Sequence, residues 1–100
     1  MRRGAEYDLK ARAVLSLYDL RNDERQLILF EQAVIPRAEQ IVAVKRSMYT
    51  NAEAPLDDLL ESERMLVDLR VMYADMRMER EKMLAEIEAL AATVPPPPAK

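Results

Sequence analysis

Residues 47–60 read SMYTNAEAPLDDLL, and this stretch decides the fold. Upstream of it an apolar-periodic run closes in Lys45 and Arg46. Downstream a second run opens with Pro55, Asp57, Asp58 and Glu61. Pro55 suits the first position of a helix, where a missing N–H leaves nothing unsatisfied. Asp57 and Asp58 complement the positive end of a helix dipole, and Lys45 and Arg46 the negative end. The stretch therefore reads as the place where one helix stops and another starts. Whether it is a plain turn or the working end of the molecule depends on its flanks.

Working outward, the first flank predicts a helix over about 5–48. Leu20, Leu27, Val34, Ile41 and Met48 recur every seventh residue, and Ile28, Ile35, Val42 and Tyr49 form a row beside them. Two adjacent rows read as an apolar face wider than a two-stranded seam, one that wants more than one neighbour. At the α-helical rise this helix would be a rod of roughly 65 Å. Pro36 lies inside it and predicts a kink, because it removes a donor and crowds the preceding turn. The seven-residue spacing from Leu27 through Val34 to Ile41 predicts no change of phase across that proline.

The second flank predicts a helix over about 55–92. Leu59, Leu66, Tyr73 and Ile87 form one row, interrupted by Arg80, and Leu69, Met76, Met83 and Leu90 form the other. Such a repeat is a coiled-coil signature. Arg80 either pairs with an acid on the facing helix or snorkels to solvent. The expected fold is therefore all-α: a long antiparallel helical hairpin with a turn at 49–54, preceded by a disordered 1–4 and followed by a proline-rich tail at 93–100. Four consecutive prolines favour an extended polyproline conformation, read here as a solvated terminus. A single hairpin of this kind buries little. The isolated chain is thus expected to form a homodimer that closes a four-helix bundle, or to be a piece of something larger.

Composition narrows function. Half of the 100 residues are apolar and a third charged, with a net charge of −3. Both signs are mixed along the chain, which leaves no basic stripe for nucleic acid. There is no cysteine, no histidine and a single glycine, Gly4. Imidazole-based catalysis, thiolate chemistry, a phosphate-cradling glycine loop and a Cys/His zinc site are excluded. No catalytic, cofactor or metal residues are therefore assigned, and the chain is read as a non-enzyme. The longest apolar runs are far shorter than the roughly 20 residues of a transmembrane helix. Arg2 and Arg3 are not followed by the apolar stretch of a secretory leader. The methionines Met76 and Met83 occupy seam positions, so the methionine-rich second helix reads as gap-filling core rather than a soft-metal site.

Several stretches, taken in order, resemble a known family. Leu17-Tyr18 with Leu20, then Leu27-Ile28-Leu29-Phe30, lead into Val34-Ile35-Pro36-Arg37-Ala38-Glu39-Gln40. Tyr49 follows, then a short turn, then Pro55-Leu56-Asp57-Asp58-Leu59-Leu60-Glu61-Ser62-Glu63-Arg64, and the run closes in Leu84-Ala85-Glu86-Ile87-Glu88. Over roughly 17–92 this is similar to the C-terminal periplasmic helical hairpin of outer membrane efflux proteins, the TolC-like family. The resemblance implies a fragment of a trimeric channel whose helices form a periplasmic tunnel and whose tip meets a periplasmic adaptor of an efflux pump. It implies a periplasmic portion of an outer membrane protein, with no transmembrane segment in this chain.

The same resemblance implies the site residues. Tyr49, Thr50, Asn51 and Ala52 would form the partner-binding hairpin tip, and Asp58 and Glu61 a pore-mouth acidic ring. Beside these stand plainer readings: Tyr49 caps an apolar row, and the acids are a solvated helix N-terminus suited to the dipole. Where the family places a glycine in the turn, this chain has Asn51-Ala52-Glu53-Ala54. Asn51 is expected to take the left-handed conformation, which asparagine tolerates better than alanine. The alternative function is a stand-alone coiled-coil dimerisation or adaptor protein.

Overall fold

The unbroken arm of the molecule is its second half. In a computed structural model, which describes residues 2–93 and side chains from 4 onward, helix α3 runs from Leu56 to Thr93 without interruption. Leu59, Ser62 and Leu66 are buried, and Leu69, Tyr73, Met76, Arg80, Met83, Ile87 and Leu90 continue the same stripe half-buried. The steps alternate between three and four residues throughout, the pattern that keeps one stripe facing one partner. Ser62 fits this apolar stripe because its hydroxyl donates to the Leu59 carbonyl at 2.7 Å.

The first arm is continuous too, but not uniform. Helix α1, Arg2–Leu29, passes into a π-helical turn, Phe30–Val34, and then into α2, Ile35–Thr50. The three segments hold 28, 5 and 16 residues. There is no break at Pro36. The Ile35 N–H bonds the Phe30 carbonyl, five residues back. Proline at 36 has no N–H and would press its ring against the carbonyl four residues earlier in an α-helix. A π turn just ahead of it widens the backbone and accommodates one extra residue.

That extra residue changes the phase, contrary to the expectation drawn from the seven-residue spacing. Before the turn the inward residues are Leu9, Ala13, Ser16, Leu20, Asp23, Leu27 and Phe30. From the end of the turn onward they are Ile35, Ala38, Val42 and Lys45, with Val34 and Pro36 half-buried at the start of this half and Met48 at its end. Val42 is 6% exposed, whereas its neighbour Ile41 is 42% exposed. On the other side of the turn Leu27 is 5% exposed and Ile28 52%. The two apolar rows are therefore not one wide face. They are one seam that moves from the first row to the second at the π turn.

The arms lie antiparallel in a rod of 74 × 25 × 15 Å, with no strand among the described residues. Ala38, Val42, Leu59 and Leu66 form the tightest cluster, with Ile35 and Leu69 against it. Heptad pairing places Ala38 opposite Leu66, Val42 opposite Ser62 and Lys45 opposite Leu59 on the tip side of the π turn. On the base side it pairs Phe30 with Tyr73, Leu27 with Met76 and Leu20 with Met83. Asp23 and Arg80 share one layer. Arg80 does not reach an acid on the facing arm. Its Nη2 lies 3.1 Å from Oε1 of Glu81 on its own helix, and its buried Nε has no hydrogen-bond partner.

The element bounds also differ from expectation at both ends. Helix α1 begins at Arg2, ahead of the anticipated start near residue 5, and Met1 lies outside the described residues. The proline-rich stretch 94–100 lies outside them as well.

Candidate functional site

The tip is built from the way α2 ends. Tyr49 and Thr50 are still helical, and the turn occupies Asn51 to Pro55. The Glu53 N–H bonds the Met48 carbonyl at 2.7 Å, and the Ala52 N–H bonds the Tyr49 carbonyl at 3.0 Å. These two bonds are the Schellman termination, in which the residue just past the helix adopts a left-handed conformation. That residue is Ala52, with φ 59°. Asn51, expected to take the role, sits at φ −87° and ψ 8° as the last residue of the helical spiral. The correction has a simple cause. The left-handed place is fixed by where the helix stops, and α2 stops one residue later than the preference of asparagine suggested. Ala52 holds that place at a cost of roughly 1–2 kcal/mol, the penalty a Cβ carries there.

The other tip residues are placed as follows. Tyr49 is 43% exposed and borders a shallow groove with Ala52, Glu53, Ala54 and Pro55. It does not close the seam, although it belongs to the row of Ile35 and Val42, and Met48 is half-buried in the last turn instead. The Thr50 hydroxyl donates to the Arg46 carbonyl at 2.9 Å. Asn51 and Ala52 are both exposed. Asp58 is half-buried, and its Oδ2 lies 3.9 Å from Nζ of Lys45. Glu61 is exposed one turn further on.

Behind the tip the two flanks of the seam differ in chemistry. In an antiparallel pair, residues that follow the second seam position of each heptad meet on one flank, and those that precede the first meet on the other. On the first flank Nη2 of Arg46 lies 3.2 Å from Oε1 of Glu63, and Nη2 of Arg70 lies 3.6 Å from Oε1 of Glu39. This flank stays charged toward the base, where Arg77 stacks over the Tyr73 ring at 5.9 Å beside Glu24 and Glu31. Leu60 and Val67 are exposed on the outer side of the ion-paired flank, while the second flank carries Ile41, Val44, Met65 and Met72, all exposed, together with Arg37 and Asp68. Asp58 and Glu61 lie on this same flank, at its tip end.

The apolar strip was not visible as a site in the sequence. The heptad spacing puts Ile41 in the seam and the methionine content reads Met65 and Met72 as core, whereas all three are exposed. The signal that finds it is the fifteen-residue step from Leu27 to Val42, which an uninterrupted heptad would make fourteen. Among the described residues no cluster of acidic side chains is arranged to hold a metal ion, and no helix is long and apolar enough to cross a membrane. Comparison with protein-family models, with curated proteins and with solved structures finds no match for this chain.

Proposed function

We propose that this chain is a wall-forming hairpin of an outer membrane efflux channel, contributing to the periplasmic helical tunnel and its adaptor-contacting mouth in a tripartite export system. The observation that carries the reading is the apolar surface that the hairpin leaves exposed. The seam already satisfies the apolar stripe of each arm, yet Ile41, Val44, Met65 and Met72 leave an apolar strip exposed along one side of the tip half. A hairpin set edge to edge with neighbouring helices in a tunnel wall buries such a strip.

Pro36 lies at mid-arm, Tyr49 in the last helical turn, and Leu56-Asp57-Asp58 at the start of the return helix. In the trimer the exposed tip, Tyr49 to Ala52, meets the adaptor, and Glu61 with Asp58 adds negative charge at the mouth. The role is structural rather than catalytic. The test is the reading frame upstream: a parent chain carrying β-strands and a first, similar helical repeat is expected. A natural gene bounded by Met1 and Lys100 overturns the channel reading.

The same strip, taken without the resemblance, supports a second reading, a stand-alone coiled-coil dimerisation or adaptor protein. In either case the isolated chain pairs with a copy of itself into a four-helix bundle. Light scattering over a range of concentrations is expected to give a dimer, and a monomer at the highest concentration contradicts the pairing.

A further inference from the structure

The first arm carries two seams, of which only one is in use. With the π turn at Phe30–Val34, the tip half of this arm presents Ile35, Ala38, Val42 and Lys45 to α3, while of the neighbouring row Val34 and Met48 are half-buried and Ile41 is exposed. If those five residues wound as ordinary α-helix, everything beyond them would turn by one residue, about 100° around the axis. The residues then facing α3 would be Val34, Arg37, Ile41 and Val44. Layer by layer, Val44 replaces Lys45 against Leu59, Ile41 replaces Val42 against Ser62, Arg37 replaces Ala38 against Leu66, and Val34 replaces Ile35 against Leu69.

The two sets are closely matched. Each has three apolar residues and one long basic side chain able to snorkel past the seam, Lys45 in one and Arg37 in the other. The exchange trades a gain at Leu59 for a loss at Leu66. A sequence committed to one register would make the neighbouring row polar, and this one does not.

We propose that the tip half of the first arm is a two-position rotor, with the π turn as its selector and the exposed apolar strip as the surface it switches. In the present position Ile41 and Val44 are displayed. In the other they enter the seam, and Gln40, Ala43 and Ser47 take their places on that flank. Two features bias the choice. Pro36 holds the π turn open, because an α-helical turn ahead of it would bring its ring against a carbonyl. The tip turn opposes it, because Ala52 sits in a left-handed conformation that alanine resists. Closing the π turn sends the extra residue toward Asn51–Pro55, which lengthens the turn and lets Ala52 relax. Whatever grips the tip therefore acts on the flank of the rod behind it. The inference does not depend on the channel reading.

The chain has no cysteine, so paired cysteines report the register directly. Val42→Cys with Ser62→Cys bridges the present register, and Ile41→Cys with Ser62→Cys bridges the other. In the full chain the first pair is expected to oxidise about ten to a hundred times faster, as for a minor state populated at roughly 1–10%. Pro36→Ala is expected to raise the 41–62 rate about tenfold or more, and Ala52→Gly to lower it. Ala38→Lys, which puts a charge into the present seam but on the ion-paired flank of the other, is expected to make 41–62 the faster pair with circular dichroism unchanged. The proposal is overturned if 41–62 stays at the rate of a control pair that faces away from the seam in both positions, Ala43→Cys with Ser62→Cys, in all three backgrounds. It is equally overturned if Ala38→Lys or Pro36→Ala melts the hairpin instead of turning it.

Discussion

The two arms of the hairpin solve the same problem differently. Helix α3 keeps a single heptad frame from Leu59 to Leu90 and needs no correction along the way. The first arm spends one residue at Phe30–Val34 and resumes in a new frame. Both arms are apolar in two adjacent columns somewhere, but the meaning differs. In α3 the residues beside the seam, Met65 and Met72, are surface. In the first arm the neighbouring column becomes the seam. Two neighbouring apolar columns can therefore be a wide face or a narrow face that shifts, and only a break in helical winding separates the cases.

The contrast can be broken most severely from the regular side. Tyr73 lies in the seam opposite Phe30, next to the π turn, and Tyr73→Asp puts a charge there in place of an aromatic ring. The expected cost is about 2–4 kcal/mol, enough to melt a hairpin of this size. Loss of the helical circular dichroism signal reads it, and an unchanged melting curve would remove Tyr73 from the seam.

The irregular side can be made regular. Deleting Ala33 together with Pro36→Ala gives the first arm an unbroken α-helical frame and still leaves Val42 facing α3. The hairpin is expected to gain about 1–3 kcal/mol, because an interior proline and its compensating turn are both gone. A loss of stability in urea denaturation would show that the π turn is not an inserted residue in an otherwise continuous seam.

A smaller effect is expected at the tip. Ala52→Gly removes the steric penalty of the left-handed residue but loosens the unfolded chain, for a net gain of about 1 kcal/mol or less. Asn51→Gly, at a position with negative φ, brings no such gain. Thermal melts of the two variants side by side distinguish them, and a larger gain at 51 than at 52 would misplace the helix end. The smallest effect belongs to the charged flank. Arg46→Ala removes the exposed pair with Glu63 and is expected to cost about 0.2–0.5 kcal/mol, fading as salt is added.

How much of this was legible follows from the same contrast. The eight apolar seam positions of the second helix, from Leu59 to Leu90, could be read from spacing alone because nothing disturbs the winding of α3. Leu20 and Leu27 were equally readable, since they precede the π turn. Ile41 was not, because a π turn has no composition of its own. It follows here from one proline, and a proline inside a helix predicts a kink as readily as a widened turn. Ala38 was missed because alanine is silent in a pattern of large apolar residues, although it packs against α3 as closely as Val42. At the tip, the start of α3 was marked by Pro55 and two aspartates. The end of α2 carried no equivalent mark, so the left-handed position was placed one residue early, on Asn51. The apolar flank was illegible for the same reason as the seam beside it, being defined only once the frame has shifted.

One comparison of substitutions tests the frame shift most directly. Val42→Ala and Ile41→Ala remove similar side chains from adjacent positions and gain similar helix propensity, so their difference in urea denaturation reports burial. Val42→Ala is expected to cost about 1–2 kcal/mol after that gain, and Ile41→Ala to be neutral or slightly stabilising. The reverse order, with Ile41 the costly position, would place the tip half of the first arm in an unshifted frame and contradict the account.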